Sequence, residues 1–335
     1  WEFIMQRPLA HLILTALLAV AAPLAVYAAD DTKTYTTQEE APESYKLQGE
    51  YVGKVETDGA EVKYGVQVIA LGNDKFQAVT YPGGLPGEGY SGGNYDELLK
   101  VEGTASGGQV EFKGEGFVAT LSDGKIEVLG DGGASIGTLE KVVRKSPTLG
   151  AKAPEGAIVL FDGTSADAWN NGKIVQENLL LADCESKEKF GDHTLHLEFR
   201  TPFKPDARGQ ARGNSGLYVQ SRYETQVLDS FGLTGADNEC GGIYKVSKPK
   251  VNMCFPPLTW QTYDVDFTAA KYDADGKKTE NARVTIKHNG VVIHDDLELP
   301  SHTPGRHQEG PGPDAIYLQG HGNPVVYRNI WVVKK

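Results

Sequence analysis

The chain has 335 residues, of which 39% are hydrophobic and 23% are charged, a composition that suits globular protein and about two domains. It carries 33 Lys and Arg against 45 Asp and Glu, a formal net charge of −12, with no basic cluster that would follow a phosphate backbone. This balance excludes nucleic acid as an expected partner.

The N-terminal segment has the features of an export signal. A short basic start is followed by an apolar stretch interrupted by a proline, and then by small residues before a polar sequence. Val26 and Ala28 fit the small-residue cleavage pattern, so residues 1–28 are predicted to be a signal peptide. A retained anchor is the alternative, but the apolar run barely reaches the ~20 residues that a bilayer span needs. We expect an exported protein, periplasmic, cell-surface or secreted, with no membrane span after signal removal.

The next segments predict a leader, a small domain and a linker. Residues 29–44 are polar and aperiodic, which indicates a flexible leader. Over residues 45–145, short runs rich in Val, Ile, Phe and Tyr end at Gly, Asn-Asp or Asp-Gly, which predicts a small all-β domain of unassigned role. Residues 146–157 carry Pro and Gly without apolar periodicity and are predicted to be a linker.

Residues 158–335 show clearer strand patterns. Leu195, Leu197 and Phe199 alternate with polar residues, and Asn289-Gly290 stands between two apolar runs, a strong hairpin signal. Strands of this spacing without intervening helices predict an antiparallel sandwich. The expected fold class is therefore all-β, a sandwich preceded by a small all-β domain.

Three cysteines, Cys184, Cys240 and Cys254, occur in the chain, and their spacing fits no common zinc site. An odd number leaves at least one thiol without a partner in the same chain. Cys240 with Cys254 is the more compact pairing, and buried, unreactive thiols are an equally open alternative.

A polar stripe marks the segment around residue 224. Arg222, Glu224 and Gln226 occupy alternate positions of a strand-like run, so their side chains should share one face of a sheet. The residues between them are those of a buried strand. An exposed ion pair between Arg222 and Glu224 is the structural alternative to a functional site.

Seven segments in a fixed order give the second domain a resemblance. Over Ile158 to Val333 they read FDGTSADAW, GDHTLHLEFR, GNSGLYVQSRYETQVLDS, CGGIYK, WQTYDVDF, HNGVVIHD and IYLQGHGNPVVYRNIWV. Together they resemble the 3-keto-disaccharide hydrolase family. The resemblance implies a concanavalin A-like jelly roll and a hydrolase that acts on glycosides whose C3 hydroxyl has been oxidised to a ketone.

Such a reaction needs a base near C2, a donor or cation at the C3 oxygen, and an acid near the leaving oxygen. Glu224 is the expected base, Arg222 the stabiliser of the enolate, and Gln226 a donor to sugar oxygens. Asp229, at the strand end, is the expected acid or a ligand, with capping of the following turn as the alternative. His321 is a further catalytic candidate, since imidazole is the usual acid or base near neutral pH, and it is expected on the face of the neighbouring strand, with a turn residue as the alternative.

Further binding residues are expected at Asn214, Tyr244 and Gln319, the last sharing a face with His321 and Tyr317. The Gly- and Pro-rich segment SHTPGRHQEGPGP is interpreted as a plain connector, with an approach of His302, His307 and Glu309 to a metal or to the groove mouth as the alternative. No cofactor is certain: a divalent cation could polarise the C3 ketone, but no clean ligand set is visible.

Two other functions stay open at this stage. Jelly rolls host sugar-binding modules without catalysis as readily as enzymes. A conventional two-carboxylate glycosidase would need a second acid opposite Glu224, for which Glu198 and Asp229 are available. A carbohydrate is the expected substrate or ligand in all three cases, and the oligomeric state is open.

Overall fold

Eight short antiparallel strands close into a barrel in the first half of the chain. The computed structural model describes residues 33–335. The barrel order is β1-β10-β9-β8-β7-β6-β3-β2, closed by the pairing of β1 with β2. The elements are α1 Glu43–Leu47, β1 Gly49–Thr57, β2 Ala60–Ala70, β3 Lys75–Pro82, β4 Leu85–Pro86, β5 Gly89–Tyr90, a 3₁₀ turn Tyr95–Glu97, β6 Lys100–Ser106, β7 Gln109–Gly114, β8 Phe117–Ser122, β9 Lys125–Gly130 and β10 Ser135–Val142.

Two sheets packed face to face form the second half. The larger has the order β13-β14-β25-β16-β19-β22-β23, with β11 also paired to β25, and the smaller has the order β12-β15-β24-β17-β18. The elements are β11 Ile158–Phe161, β12 Trp169–Asn170, β13 Ile174–Val175, β14 Leu179–Leu181, β15 Cys184–Phe190, β16 His193–Arg200, a 3₁₀ turn Gly209–Ala211, β17 Ser215–Val219, β18 Tyr223–Val227, β19 Gln261–Thr268, β20 Lys271–Tyr272, β21 Lys278–Glu280, β22 Ala282–His288, β23 Val291–Leu299, β24 Asp314–Leu318 and β25 Val326–Lys334.

The sandwich core lies between these sheets, where alternate residues of each strand meet. Leu217 and Val227 of the smaller sheet belong to the same buried cluster as Phe199 and Phe267 of the larger one. The predicted hairpin is confirmed, since Asn289 and Gly290 both adopt positive φ between β22 and β23. The all-β fold, a jelly-roll sandwich preceded by a small all-β domain, is as predicted.

Only some of the N-terminal predictions can be compared with the structure. The predicted signal peptide, residues 1–28, lies outside the described residues. The described part of the expected flexible leader is ordered: Tyr35 forms two backbone hydrogen bonds with Phe203, and its ring is buried against the barrel core. The polar composition of the segment does not predict burial, which here comes from the aromatic ring of Tyr35. In residues 33–335, no helix combines the length and apolarity required to cross a bilayer.

The connection between the two halves, residues 146–157, is held against the larger sheet. Thr148 donates to Asp264 at 2.7 Å, and the backbone N–H of Gly150 donates to Glu198 at 2.6 Å. Burial alone would raise the pKa of Glu198, but hydrogen bonds from His196, Asn329, Gly150 and Arg328 lower it to about 2. Glu198 is thus a structural anion that fixes the linker.

The barrel and the sandwich share a packed boundary. Phe203 and Leu258 of the sandwich half belong to the buried cluster of the barrel. The guanidinium of Arg212 lies 3.3 Å from the Ala70 carbonyl at the end of β2. Residues 33–335 accordingly belong to one compact unit.

All three cysteines are buried free thiols. Cys240 Sγ lies 3.3 Å from the Tyr263 hydroxyl, and Cys254 Sγ donates to the Leu228 carbonyl at 3.5 Å. Burial raises the pKa of Cys184, which keeps it protonated. The sequence left open a Cys240–Cys254 disulfide and buried free thiols, and the structure contains buried free thiols.

Candidate functional site

The candidate site lies on the outer face of the smaller sheet, where β24, β17 and β18 are neighbours. Leu217 and Tyr223 point into the core, so the residues between core positions point the other way. Register pairs Tyr218 with both Glu224 and Tyr317 across the three strands. The polar stripe predicted from alternation is therefore a row of side chains on this outer face.

Glu224 is the central ionisable group of the row. Its side chain is buried, and its carboxylate accepts a hydrogen bond from the Tyr218 hydroxyl at 2.8 Å. Burial raises the pKa of Glu224 to about 7, while the Tyr218 hydrogen bond opposes the rise. A buried carboxylate with a pKa near neutrality has the properties of a general base.

Gly216 leaves the space that this carboxylate occupies. It stands opposite Gln226 in the β17–β18 ladder, on the same outer face as Tyr218. A Cβ at this position would lie 2.5 Å from Glu224 Oε1, closer than any real contact. Gly216, the second glycine of the segment GNSG, therefore leaves room for the Glu224 carboxylate, and a larger residue there would displace that side chain.

The segment between β23 and β24 covers the outer face. The Thr303 hydroxyl accepts a hydrogen bond from the Glu224 N–H at 2.8 Å, and the Pro304 carbonyl accepts one from Tyr218 at 3.2 Å. The Arg306 guanidinium lies 3.8 Å from the centroid of the Tyr317 ring. The interpretation of this segment as a plain connector is therefore wrong: its contacts with the sheet bury the Glu224 carboxylate.

Arg222 lies outside the strand, and the structure does not show it in the expected role of enolate stabiliser. The strand β18 begins only at Tyr223, after a turn in which Gln220 and Ser221 have positive φ. The Arg222 guanidinium donates to the Gly310 carbonyl at 2.8 Å and lies 3.6 Å from Asp314. Its charge is used to hold the covering segment in place.

Asp229 also differs from its expected role as an acid or ligand. It is buried and forms an ion pair with Arg212, with 2.7 Å between Arg212 Nε and the carboxylate. Its other oxygen accepts a hydrogen bond from the Phe231 N–H at 3.3 Å, the turn cap that the sequence left as the alternative. A carboxylate so paired joins the sandwich to the barrel through Arg212.

His321 does not share a strand face with Gln319 and Tyr317 as predicted, because β24 ends at Leu318. It is half-buried in the following loop, and its carbonyl accepts a hydrogen bond from the Asn323 amide at 3.1 Å. The glycines on both sides of His321 end the extended conformation that the prediction assumed.

The remaining predicted residues surround Glu224 in different ways. When the Gln226 amide is oriented to satisfy its neighbours, its nitrogen donates a hydrogen bond to Glu224 Oε1 at 3.2 Å. The Tyr244 N–H donates to the Glu224 carbonyl at 3.3 Å, along the free edge of β18. The side-chain oxygens of Asn214 and Gln319 are buried and have no hydrogen-bond partner among residues 33–335, so they are available as acceptors for hydroxyl groups.

Sequence reasoning missed Tyr218, Gly216 and Arg306. The first two were readable in principle, because a three-residue turn, Gln220 to Arg222, sets a register that puts Tyr218 opposite Glu224. The turn lacks the Asn-Gly signature, so the hairpin register was not recognised. Arg306 comes from a distant segment, and nothing local in the sequence connects it to this sheet.

The described residues contain no group of three or more His, Cys, Asp or Glu side chains placed to hold a metal ion. Two cavities lie elsewhere, one of about 420 Å³ inside the barrel and one of about 250 Å³ between the barrel and the sandwich. The Glu224 site is thus a covered polar face and not one of these cavities.

The second half of the chain is similar to known families and structures. Residues 156–333, just over half of the chain, match the family model described as 3-keto-alpha-glucoside-1,2-lyase-like domain. A solved structure from Parabacteroides distasonis, provisionally named a glycosyl hydrolase, is 31% identical, covers 55% of this chain and 85% of its own, and has a TM-score of 0.51. Two further structures so named from the same organism are 17% and 19% identical, cover 54% and 53% of this chain and 94% and 99% of their own, and have TM-scores of 0.40 and 0.38. No curated protein matches the chain.

Proposed function

The chain belongs to the family of 3-keto-alpha-glucoside-1,2-lyase-like domains, and on this premise we propose that it cleaves glycosides whose C3 hydroxyl has been oxidised to a ketone. The observation that carries the proposal is the buried Glu224 carboxylate, whose pKa of about 7 suits proton abstraction at neutral pH. The glycoside hydrolase-like character follows from the family, and the elimination mechanism is our proposal.

In the proposed reaction, Glu224 removes the proton on C2, which the neighbouring ketone makes acidic. The electron pair of that C–H bond forms the enolate, and its collapse breaks the bond between C1 and the leaving oxygen. Protonated Glu224 then returns the proton to the leaving oxygen, since its pKa of about 7 allows both states near neutral pH. Water adds at C1 and a proton at C2, so the net change is hydrolysis.

We assign the stabilisation of the enolate to Arg306 in place of Arg222. Arg306 lies beside Tyr317 on the face that carries Glu224. One end of its guanidinium is ion-paired with Glu185 at 2.5 Å, while its Nε has no hydrogen-bond partner among residues 33–335 and is left to face the substrate. A cation aimed at an oxygen where negative charge develops is the usual electrostatic device for such a step. The free acceptor oxygens of Asn214 and Gln319 would receive hydrogen bonds from sugar hydroxyls.

A conventional two-carboxylate mechanism has less support. Of the acids available as partners, Asp229 is paired with Arg212, and Glu198 is bound by Arg328 on the other sheet. Neither is free to act opposite Glu224. A single base that works on an acidified C2 proton needs no such partner.

The covering segment must move for a sugar to reach Glu224, because only 4% of this residue is exposed. The contacts of Thr303 and Pro304 with the sheet would open and then close again over the bound sugar. Closure would exclude water from the enolate and sustain the raised pKa of Glu224.

The substrate test uses the purified mature protein with 3-keto-trehalose and with trehalose, each with and without a chelator. We expect release of the two sugar units from 3-keto-trehalose only, measured by chromatography. Comparable cleavage of trehalose would contradict the elimination mechanism in favour of a conventional glycosidase. Calorimetric binding without turnover would contradict catalysis in favour of a sugar-binding module. Loss of activity with the chelator would assign polarisation of the ketone to a metal instead of Arg306.

The pH profile tests the Tyr218–Glu224 contact. Because the base acts as a carboxylate, kcat/KM should rise with pH through about 7 and then level off. Tyr218→Phe removes a hydrogen bond that stabilises the carboxylate, so the midpoint should move upward and kcat/KM at pH 6 should fall about 10- to 100-fold. Tyr90→Phe in β5, away from the Glu224 site, is the matched control. An unchanged midpoint in Tyr218→Phe would remove Tyr218 from this role.

A further inference from the structure

The barrel has one end filled by large side chains. In a closed barrel, alternate residues of each strand point inward. At the end that faces the sandwich, Tyr51, Phe76 and Leu121 are completely or nearly completely buried, and Phe203 from the sandwich packs against the same cluster. This end is an ordinary packed core.

The opposite end is not filled, although large side chains such as Phe112, Phe117 and Ile136 are among those that line it. Inward positions of β3, β6 and β8 carry Ala78, Val101 and Ala119, and they surround a cavity of about 420 Å³. This volume lies in the range of about 300–1,000 Å³ that is typical of small-molecule sites. Eight-stranded barrels are wide enough to hold one small ligand when their inward side chains leave room.

Two features distinguish this space from an accident of packing. Unfilled apolar volume in a core costs stability, and apolar cavities are poor sites for water but good sites for apolar molecules. At the mouth, Leu99 lines the cavity and is 48% exposed, so the entrance itself presents apolar surface. Both features favour an apolar occupant that enters from this mouth.

The charges at the mouth narrow the class of occupant. Glu56 and Glu97 line the cavity at exposed positions, and Thr57 and Thr80 add hydroxyl groups. None of the residues that line it is Lys, Arg or His. An anionic head group would be repelled there, whereas a hydroxyl group would donate hydrogen bonds to the carboxylates.

We propose that the barrel is a binding site for one uncharged, largely apolar alcohol, with its chain in the lumen and its hydroxyl at the acidic mouth. The site is separate from the Glu224 reaction, since every lining residue lies between Val55 and Leu139. The proposal therefore stands or fails independently of the proposed enzyme activity.

The test is a fluorescence titration of the full mature chain with the neutral probe N-phenyl-1-naphthylamine, followed by competition. We expect saturable binding of one probe per chain, displaced by 1-decanol. Decanoate, which has the same chain length but is ionised at pH 8, should compete at least about tenfold less well. Decanoate competing as well as 1-decanol would overturn the assignment of the ligand class, and absence of saturable binding would overturn the site.

Two variants locate the site. Ala119→Phe should fill the lumen and weaken probe binding at least about tenfold, while Ala134→Phe, the same change at an exposed turn, should leave it unchanged. A folded Ala119→Phe variant with unchanged affinity would contradict the proposal. If Ala119→Phe does not fold, the double variant Glu56→Lys and Glu97→Lys tests the site at exposed positions. This double variant should bind decanoate more tightly relative to 1-decanol than the wild type does. An unchanged ratio of the two affinities would contradict the role of the acidic mouth.

Discussion

Glu224→Gln should lower the rate of 3-keto-disaccharide cleavage by about 10²- to 10⁴-fold, the usual loss when a general base is removed. Glutamine keeps the size of the side chain and still accepts the hydrogen bond from Tyr218, so the local structure should survive. The measurement is kcat/KM at pH 8, where the wild-type base is ionised. Glu298→Gln, the same change on the exposed strand β23, is the control and should be fully active.

The same variant should be more stable than the wild type at pH 8, which separates loss of chemistry from loss of fold. Glu224 has a folded-state pKa of about 7 against an ordinary value of 4.5. The free energy of unfolding therefore falls as pH rises from 4.5 to 7, by up to about 3 kcal/mol, because the buried group resists ionisation. Glutamine removes this cost, so the advantage of the variant should vanish near pH 4.5. Full activity in Glu224→Gln would remove Glu224 as the base.

Local periodicity was sufficient to predict that Glu224 and Gln226 share one face. The period of a strand is two, and alternation needs no knowledge of the rest of the fold. The same reasoning failed for Arg222 because the chain turns at Gln220 and Ser221, where positive φ interrupts the alternation. The turn is made by residues that rarely adopt this conformation, so the sequence carries no warning of it.

The burial of the site could not be predicted, because it depends on contacts between distant segments. Thr303, Pro304 and Arg306 reach the outer face from a segment about 80 residues beyond β18. The pKa of Glu224 is raised by this cover, so the property most relevant to catalysis arises from tertiary structure. Alternation predicted the strands of the first domain but not their closure, which requires β1 to pair with both β2 and β10.

Asp229→Ala should lower the free energy of unfolding by about 3–5 kcal/mol, because it leaves the buried Arg212 guanidinium without its counter-ion. Denaturant titration measures this loss. Glu111→Ala, which breaks an exposed ion pair with Lys113, is the comparison and should cost no more than about 1 kcal/mol. A loss of similar size in both variants would contradict a structural role for the buried pair.

Variants of the Asp229–Arg212 pair also distinguish two roles for Asp229, the catalytic acid predicted from the sequence and the structural anion seen in the fold. Replacing both partners, Arg212→Met with Asp229→Leu, should be less destabilising than Asp229→Ala, because no buried charge is left unpaired. Asp229→Asn, assayed under conditions where it stays folded, should keep kcat within about a factor of ten of the wild type, since Asp229 is bound to Arg212 and Phe231. A loss of 10² or more in a folded Asp229→Asn variant would restore Asp229 as the acid. The ion pair would then have to open during turnover, together with the boundary between sandwich and barrel that Arg212 holds through the Ala70 carbonyl.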